Sequence, residues 1–529
     1  MGGHVFIVPG RLESLRCDDV LVSTDARGDV GESWWPVFGW SEHEGPLKRQ
    51  SFGSFREGSR VFLAEDGDRA TGEPRRWLAD VGGYAGREVG WLLDGVREAL
   101  TAAAEHEGEP VGPKRRIALP IMGVAGGGYD QQRGAVIHGL LEETQRIADE
   151  HDVDVVLVAK NLADYSACQS LRQSDHDRPL ADEHEHKARQ LADLAQAGAL
   201  AIFMGAGIGM AAGLPSWDDL LRKLAERLDV DPEGLGQLGP LDAAEYLRRA
   251  ASRRANGSAA ESARELGCLV AEVIGRPKRY ALSHAFLAAL DVEQALTTNF
   301  DQLYEIAAQA IRGTEPLVVL PDSHPAQMAS RGTPRPWLLK LHGDVDRPER
   351  IVLDRRSFVT YDARRRPLGG VLQAALLTKH LLVVGASMTD DNVIRLVHEV
   401  AELTEDHREP SPFGTVLNVR TDPLRLHLWR PEFDFVDLGT GADGEAGAAR
   451  ELEIFLDRVA LLAAPRSAHL LDPRYRELLK SDEEQELADR LREAVGRLDA
   501  VRGTRDAACG WDDVAAALEG FGAINDRPD

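Results

Sequence analysis

Residues 199–217 read Ala199-Leu200-Ala201-Ile202-Phe203-Met204-Gly205-Ala206-Gly207-Ile208-Gly209-Met210-Ala211-Ala212-Gly213-Leu214-Pro215-Ser216-Trp217. The first six are an unbroken apolar run, the pattern of a strand buried on both faces of a parallel sheet. Small residues follow at once. Glycine has no Cβ, so a strand that turns through glycines into a helix lets backbone N–H groups approach a phosphate closely. The same turn also serves as a tight strand–helix junction without any ligand. The spacing is not the dinucleotide fingerprint G-x-G-x-x-G, because Met210 stands at the third glycine. On its own, the stretch fixes an α/β unit and leaves its ligand open.

Three later blocks share the same layout. Leu296-Thr297-Thr298-Asn299 ends a strand, with Phe300-Asp301 opening a helix; Trp337-Leu338-Leu339-Lys340-Leu341 delivers His342-Gly343-Asp344; His380-Leu381-Leu382-Val383-Val384 delivers Gly385-Ala386-Ser387. Thr415 to Val419, carrying Asn418, reads as the last clear strand. Polar chemistry repeated at the carboxyl ends of parallel strands predicts the ligand crevice of a doubly wound sheet. Between Trp217 and Ala281 the pattern is helical and charged, broken by Asp231-Pro232 and Gly239-Pro240. A histidine side chain can accept a proton from a hydroxyl or a water near neutral pH, so His342 suits proton transfer. Asn299 and Asp301 are equally good helix caps, and Ser387 can donate to a phosphate or ribose oxygen. His284 lacks such a context and reads as a packing or capping residue.

In this order, the blocks Gly205–Trp217, Thr297–Asp301, Leu339–Asp344 and Val383–Ser387 resemble the sirtuin catalytic core. They look most like the bacterial sirtuin-like NAD hydrolases of anti-phage defence, including the effector of the Thoeris system. The resemblance spans residues 187–465 and implies a Rossmann-like doubly wound sheet with a helical insertion over the NAD pocket. It implies catalytic roles for His342, Asn299 and Asp301. Contacts to NAD as substrate are implied for Gly205, Ala206, Gly207, Gly213, Leu214, Trp217, Thr298, Gly385, Ser387 and Asn418, with Asp390 or Asp391 near the adenosine half. Gly209 replaces the serine usual after Gly-Ala-Gly-Ile, and Leu214-Pro215-Ser216-Trp217 has the form of the defence enzymes. Deacylating sirtuins usually carry a zinc ribbon of paired C-x-x-C units. No C-x-x-C occurs here, so the resemblance favours NAD cleavage to nicotinamide and ADP-ribose, or a cyclic form, with no metal. ADP-ribose transfer to an acceptor, or nucleotide binding without turnover, are the alternatives. By family analogy the chain is a homo-oligomer.

Residues 1–175 form a second unit. Arg116 to Ile121, the loop Gly123–Gly128, a helix at about 131–149 and Val153 to Val158 make a βαβ unit. This segment resembles a macro domain, an ADP-ribose-binding fold. Arg11 stands where an aspartate is common, and Ser23 and Ala26 replace the usual asparagines. That pattern leaves binding of an ADP-ribose-derived signalling nucleotide open and puts hydrolysis in doubt. Residues 174–186 read as a solvated linker whose histidines fit no metal-ligand spacing. Residues 466–529 read as a charged helical segment, either a docking element or a tail.

Bulk composition agrees. The chain has 529 residues, 43% hydrophobic and 28% charged, enough for two or three soluble domains. No apolar run approaches the roughly 18–20 residues of a membrane span, and no secretory leader is visible. Cysteines at 17, 168, 268 and 509 are scattered, as in a reducing compartment. The expectation is a cytoplasmic protein. A net charge of −25 argues against a broad nucleic-acid surface.

Overall fold

A computed structural model describes residues 2–41, 43–44, 55, 58–68, 71–82, 87–255, 259–320, 336–404, 412–420, 423–439, 444–502 and 510–523. The chain forms two compact units, Met1–Pro179 with Ala464–Asp529, and Leu180–Ala463. The first holds strands β1 (Val5–Pro9), β2 (Asp19–Thr24), β3 (Val61–Glu65), β4 (Arg75–Asp80), β5 (Arg116–Pro120) and β6 (Asp154–Ala159). The second holds β7 (Leu200–Met204), β8 (Gln294–Thr297), β9 (Leu317–Val319), β10 (Trp337–Lys340), β11 (His380–Val384), β12 (Gly414–Asn418) and β13 (Phe433–Asp437).

In the second unit the described strands form one parallel sheet in the order β13-β12-β11-β7-β8-β10-β9. The chain starts at β7, winds outward through β8, then crosses back to β11, so β7 and β11 flank the switch point of a Rossmann-like α/β sheet. Register puts Val384, Met204, Thr297 and Lys340 side by side at the carboxyl ends of four adjacent strands. The residues that follow them therefore share one edge. Phe203, Leu296, Leu339 and Val383 bury that sheet against Leu372 and Val397 of the covering helices, each fully buried side chain contributing about 1.5–3 kcal/mol.

The helical insertion comprises Trp217–Arg227, Pro232–Leu235, Pro240–Ala255 and Ala259–Ile274. Ser216 caps the first of these by accepting from Asp219 N at 3.1 Å, and Asp231 caps the second, with Pro232 at the first helical position. Leu220, Leu224, Leu247, Leu266 and Val270 form its own core, which reaches Phe300 and Val345 beside the sheet edge.

Three expectations need correction. Residues 182–186 are not a solvated linker but the start of a helix, Asp182–Gln196. Asp182, Glu183 and Glu185 complement the positive helix start, and Glu185 receives Arg458 at 2.7 and 2.8 Å. The helix after Asn299 starts at Leu303, not Phe300. Thr415–Val419 is not the last strand, because β13 pairs beside β12 along the edge of the sheet.

In the first unit the order is β1-β6-β5-β2-β4-β3, parallel except for β3 on β4. The segment after Ala464 packs into this unit. Tyr475 is 1% exposed and its hydroxyl donates to Asp164 Oδ1 at 2.7 Å, while Asp164 also faces Arg133 Nε at 3.0 Å. His469 Nδ1 lies 2.9 Å from Ser166 Oγ. Cys17, Cys168 and Cys268 are free thiols; Cys509 lies outside the described residues. Among the described residues no helix is long and apolar enough to cross a membrane, and no three His, Cys, Asp or Glu side chains group as metal ligands.

Candidate active site

The glycine turn after β7 interlocks with the turn after β11. Gly205 N–H donates to the Val384 carbonyl and Gly207 N–H to the Gly385 carbonyl, both at 2.9 Å. These two amides tie the turn to β11, and the glycines let the two turns approach each other closely. A Cβ on Gly205 would stand 2.5 Å from the Gly385 carbonyl oxygen, and one on Gly385 would stand 2.6 Å from Ile208 N. Gly385 also has φ +68°, a conformation that disfavours any side chain. The result is a glycine cradle in which the two turns pack backbone to backbone at the switch point of the sheet. Ala206 and Gly207 are exposed along it, and Gly207–Met210 forms a single helical turn before Gly213, at φ +87°.

Beside the cradle, the end of β8 is held from below. Thr297 Oγ1 donates to the Met204 carbonyl at 3.0 Å and accepts from Asn299 N at 3.0 Å. Thr298 N reaches the same carbonyl at 3.2 Å. Asn299 is 9% exposed, and its Nδ2 donates to the Gly205 carbonyl at 3.1 Å. Asn299 thus binds the glycine turn and caps no helix. Asp301 lies just ahead of the Gln302 N-cap of the next helix, its Oδ1 accepting from Leu303 N at 3.0 Å.

Lys340, absent from the sequence reading of the site, binds these segments together. It is fully buried at the end of β10. Its Nζ donates to Glu305 Oε1 at 2.9 Å, Asp344 Oδ2 at 2.6 Å, the Phe300 carbonyl at 3.4 Å and the Asp301 carbonyl. Burial works against the ammonium, but Glu305, Asp344 and Asp301 outweigh it and raise its pKa. A buried charge with four oxygen partners is compensated; the same charge with one partner removed is not. The sequence signal was a lone lysine in a buried strand, since a buried lysine is nearly always paired.

His342 follows β10 and is 3% exposed. Its Nε2 stands 3.0 Å from Asp390 Oδ2, at ion-pair distance, although the pair is not aligned as a hydrogen bond. Its ring packs edge-on to Phe358 with centroids 5.1 Å apart. Burial disfavours the Asp390 carboxylate, yet His342 and the Val393 and Asn392 N–H groups hold its pKa below the ordinary value. Asp390 therefore meets the histidine itself, while Asp391 opens the helix Asp391–Thr404. Such a carboxylate–imidazole pair can orient a ring for proton transfer.

The remaining residues lie further round the edge. Ser387 is exposed, its hydroxyl 2.6 Å from Thr389 Oγ1, in a loop where Met388 takes φ +51°. Asn418 Oδ1 accepts from Arg420 N at 3.3 Å, a local turn contact. Leu214 packs beside Gly209, and Trp217 is half-buried against the insertion core.

Residues 293–428 match a family model described as a SIR2-like domain, and the Rossmann-like sheet fits that match. A protein of Enterococcus faecium named NAD(+) hydrolase ThsA is 27% identical over 223 residues, 42% of this chain and 44% of the relative. A protein of the same name from Bacillus cereus (strain MSX-D12) is 28% identical over 206 residues, 39% of this chain and 40% of the relative. Defense-associated sirtuin 2 of Bacillus subtilis is 24% identical over 239 residues, 44% of this chain and 22% of the relative. The chain thus spans less than half the length of the curated relatives it matches.

Proposed function

We propose that this chain is an NAD+ hydrolase that cleaves the nicotinamide–ribose bond, releasing nicotinamide and ADP-ribose or its cyclic form. The observation that carries the reading is the convergence of the glycine cradle, Asn299 and the His342–Asp390 pair on adjacent strand ends at a topological switch point. Departure of nicotinamide leaves positive, oxocarbenium-like charge on the ribose, and the attacking oxygen must lose a proton. His342 accepts that proton, Asn299 aligns the ribose or the attacking water, and Asp301 completes the nicotinamide side of the pocket. The cradle, with Ala206, Gly213, Leu214, Trp217 and Thr298 around it, admits the pyrophosphate, while Ser387 and Asn418 serve the adenosine half. The relatives named NAD(+) hydrolase support this choice over ADP-ribose transfer.

The biological reading is an abortive-infection effector of anti-phage defence, consistent with the relative named for defence, acting as a cytoplasmic homo-oligomer. The first unit is its macro-like sensor for an ADP-ribose-derived nucleotide. Support for that part is the loop after β5, where Gly126 and Gly128 are exposed and take φ of +82° and +89°, a backbone an anion can approach. Following nicotinamide release by chromatography, with wild type, His342→Ala and Asn299→Ala, tests the cleavage. Calorimetric titration of the full chain with ADP-ribose tests the sensor.

A further inference from the structure

His284 lies on the helix Leu282–Ala289 and is 1% exposed. Neither ring nitrogen has a partner at hydrogen-bond geometry. Asn299 has the complementary defect. Its Nδ2 is satisfied by Gly205, but its Oδ1 is buried without a partner. Both side chains line one cavity of about 10 Å³, together with Thr297, Asp301, Met204 and Ile208. That is the volume of about one water, and a water needs two or more polar partners to stay.

We propose that His284 is a positioning residue for Asn299, acting through a single water held in the cavity that the two side chains line. The water donates one hydrogen to an imidazole nitrogen and the other to Asn299 Oδ1. Leaving Asn299 Oδ1 and the imidazole acceptor nitrogen unbonded costs more than immobilising one water. The imidazole is suited to accept. The Ala281 carbonyl and the Asp301 carboxylate favour a protonated ring, but burial outweighs them and holds the pKa down at about 4, so a lone pair is available at neutral pH. With Nδ2 on Gly205 and Oδ1 on the water, the Asn299 amide has one orientation, and its second Nδ2 hydrogen is the group it presents to substrate. The inference rests on the proposed role of Asn299 in NAD cleavage.

The test pairs a structure with kinetics on the full chain. A high-resolution crystal structure of the wild type should show one ordered water within hydrogen-bond distance of a His284 nitrogen and Asn299 Oδ1. A dry cavity, or Asn299 Oδ1 bonded elsewhere, overturns the proposal even if the protein cleaves no NAD. Inactivity of the wild type counts against the proposed function alone. His284→Leu should lower kcat about tenfold with KM nearly unchanged, and His284→Gln should restore most of it. Wild-type kcat in His284→Leu overturns the proposal. Should His284→Leu fail to fold, the wild-type water and the His284→Gln kinetics decide: water retained and kcat near wild type support the proposal, and water lost with kcat unchanged overturns it.

Discussion

His342 Nε2 and Asp390 Oδ2 stand 3.0 Å apart, although 47 residues separate them between the end of β10 and the loop after β11. The pairing is a product of the doubly wound topology, which brings both loops to one edge of the sheet. Asp390 is anchored in turn, Oδ1 accepting from Asn392 N and Val393 N at 3.0 Å. Asp390→Asn should therefore lower kcat by about ten- to a hundredfold, less than loss of the base itself, which is worth about 10²–10⁴. An unchanged kcat would show that the carboxylate does not orient the ring.

Lys340 gives a stability prediction. Lys340→Met strands Glu305 and Asp344 in the interior and should cost about 3–5 kcal/mol, as removal of one partner of a buried ion pair does. Urea denaturation of the full chain checks it. A loss below about 1 kcal/mol would place the lysine in the class of exposed pairs.

The glycines divide into two kinds. Gly385→Ala meets Ile208 N at 2.6 Å in a left-handed conformation, so it should abolish NAD cleavage and lower the melting temperature. Gly209→Ser faces a milder obstacle, with Leu214 Cδ1 at 3.1 Å and Asp301 Oδ2 at 3.8 Å from the new Cβ. It should fold and retain activity, the hydroxyl lying near Asp301. Equal damage from both substitutions would argue against the cradle.

Two buried imidazoles make stability pH-dependent. Burial lowers His284 and His469 to about 4, against an ordinary value near 6.5. Between those values the unfolded chain binds more protons than the native one. The contribution is therefore complete above about pH 6.5 and is lost as pH falls toward 4, by about 1.4 kcal/mol per pH unit for each group. Melting temperatures should drop from pH 7 to pH 5, and His469→Asn should flatten the part of that dependence belonging to the first unit. A pH-independent melting temperature would contradict the burial of neutral rings.

The sheet edge was legible because its strands are short, largely apolar runs followed at once by glycine, asparagine or histidine, a pattern carried within a few residues. What escaped depends on distant partners. Lys340 takes its meaning from Glu305, 35 residues earlier, and Asp390 from His342. The segment after Ala464 reads as a charged helix, and distant contacts such as Tyr475 meeting Asp164, 311 residues away, and His469 meeting Ser166 place it in the first unit. β13 escaped because Phe433-Asp434-Phe435-Val436-Asp437 is short and mixes carboxylates with apolar residues, as an edge strand can. The linker reading failed at Asp182 because acidic residues look solvated in sequence but also suit the first turn of a helix.

The most direct test is nicotinamide release from NAD+ by the purified full chain, alone and with ADP-ribose-type nucleotides, beside His342→Ala and Asn299→Ala. We expect cleavage by the wild type and a loss of at least about a hundredfold in each variant, with both variants still folded. Cleavage that survives both substitutions, or none by the wild type under any of these conditions, would contradict the assignment of this sheet edge as an NAD+-hydrolysing site.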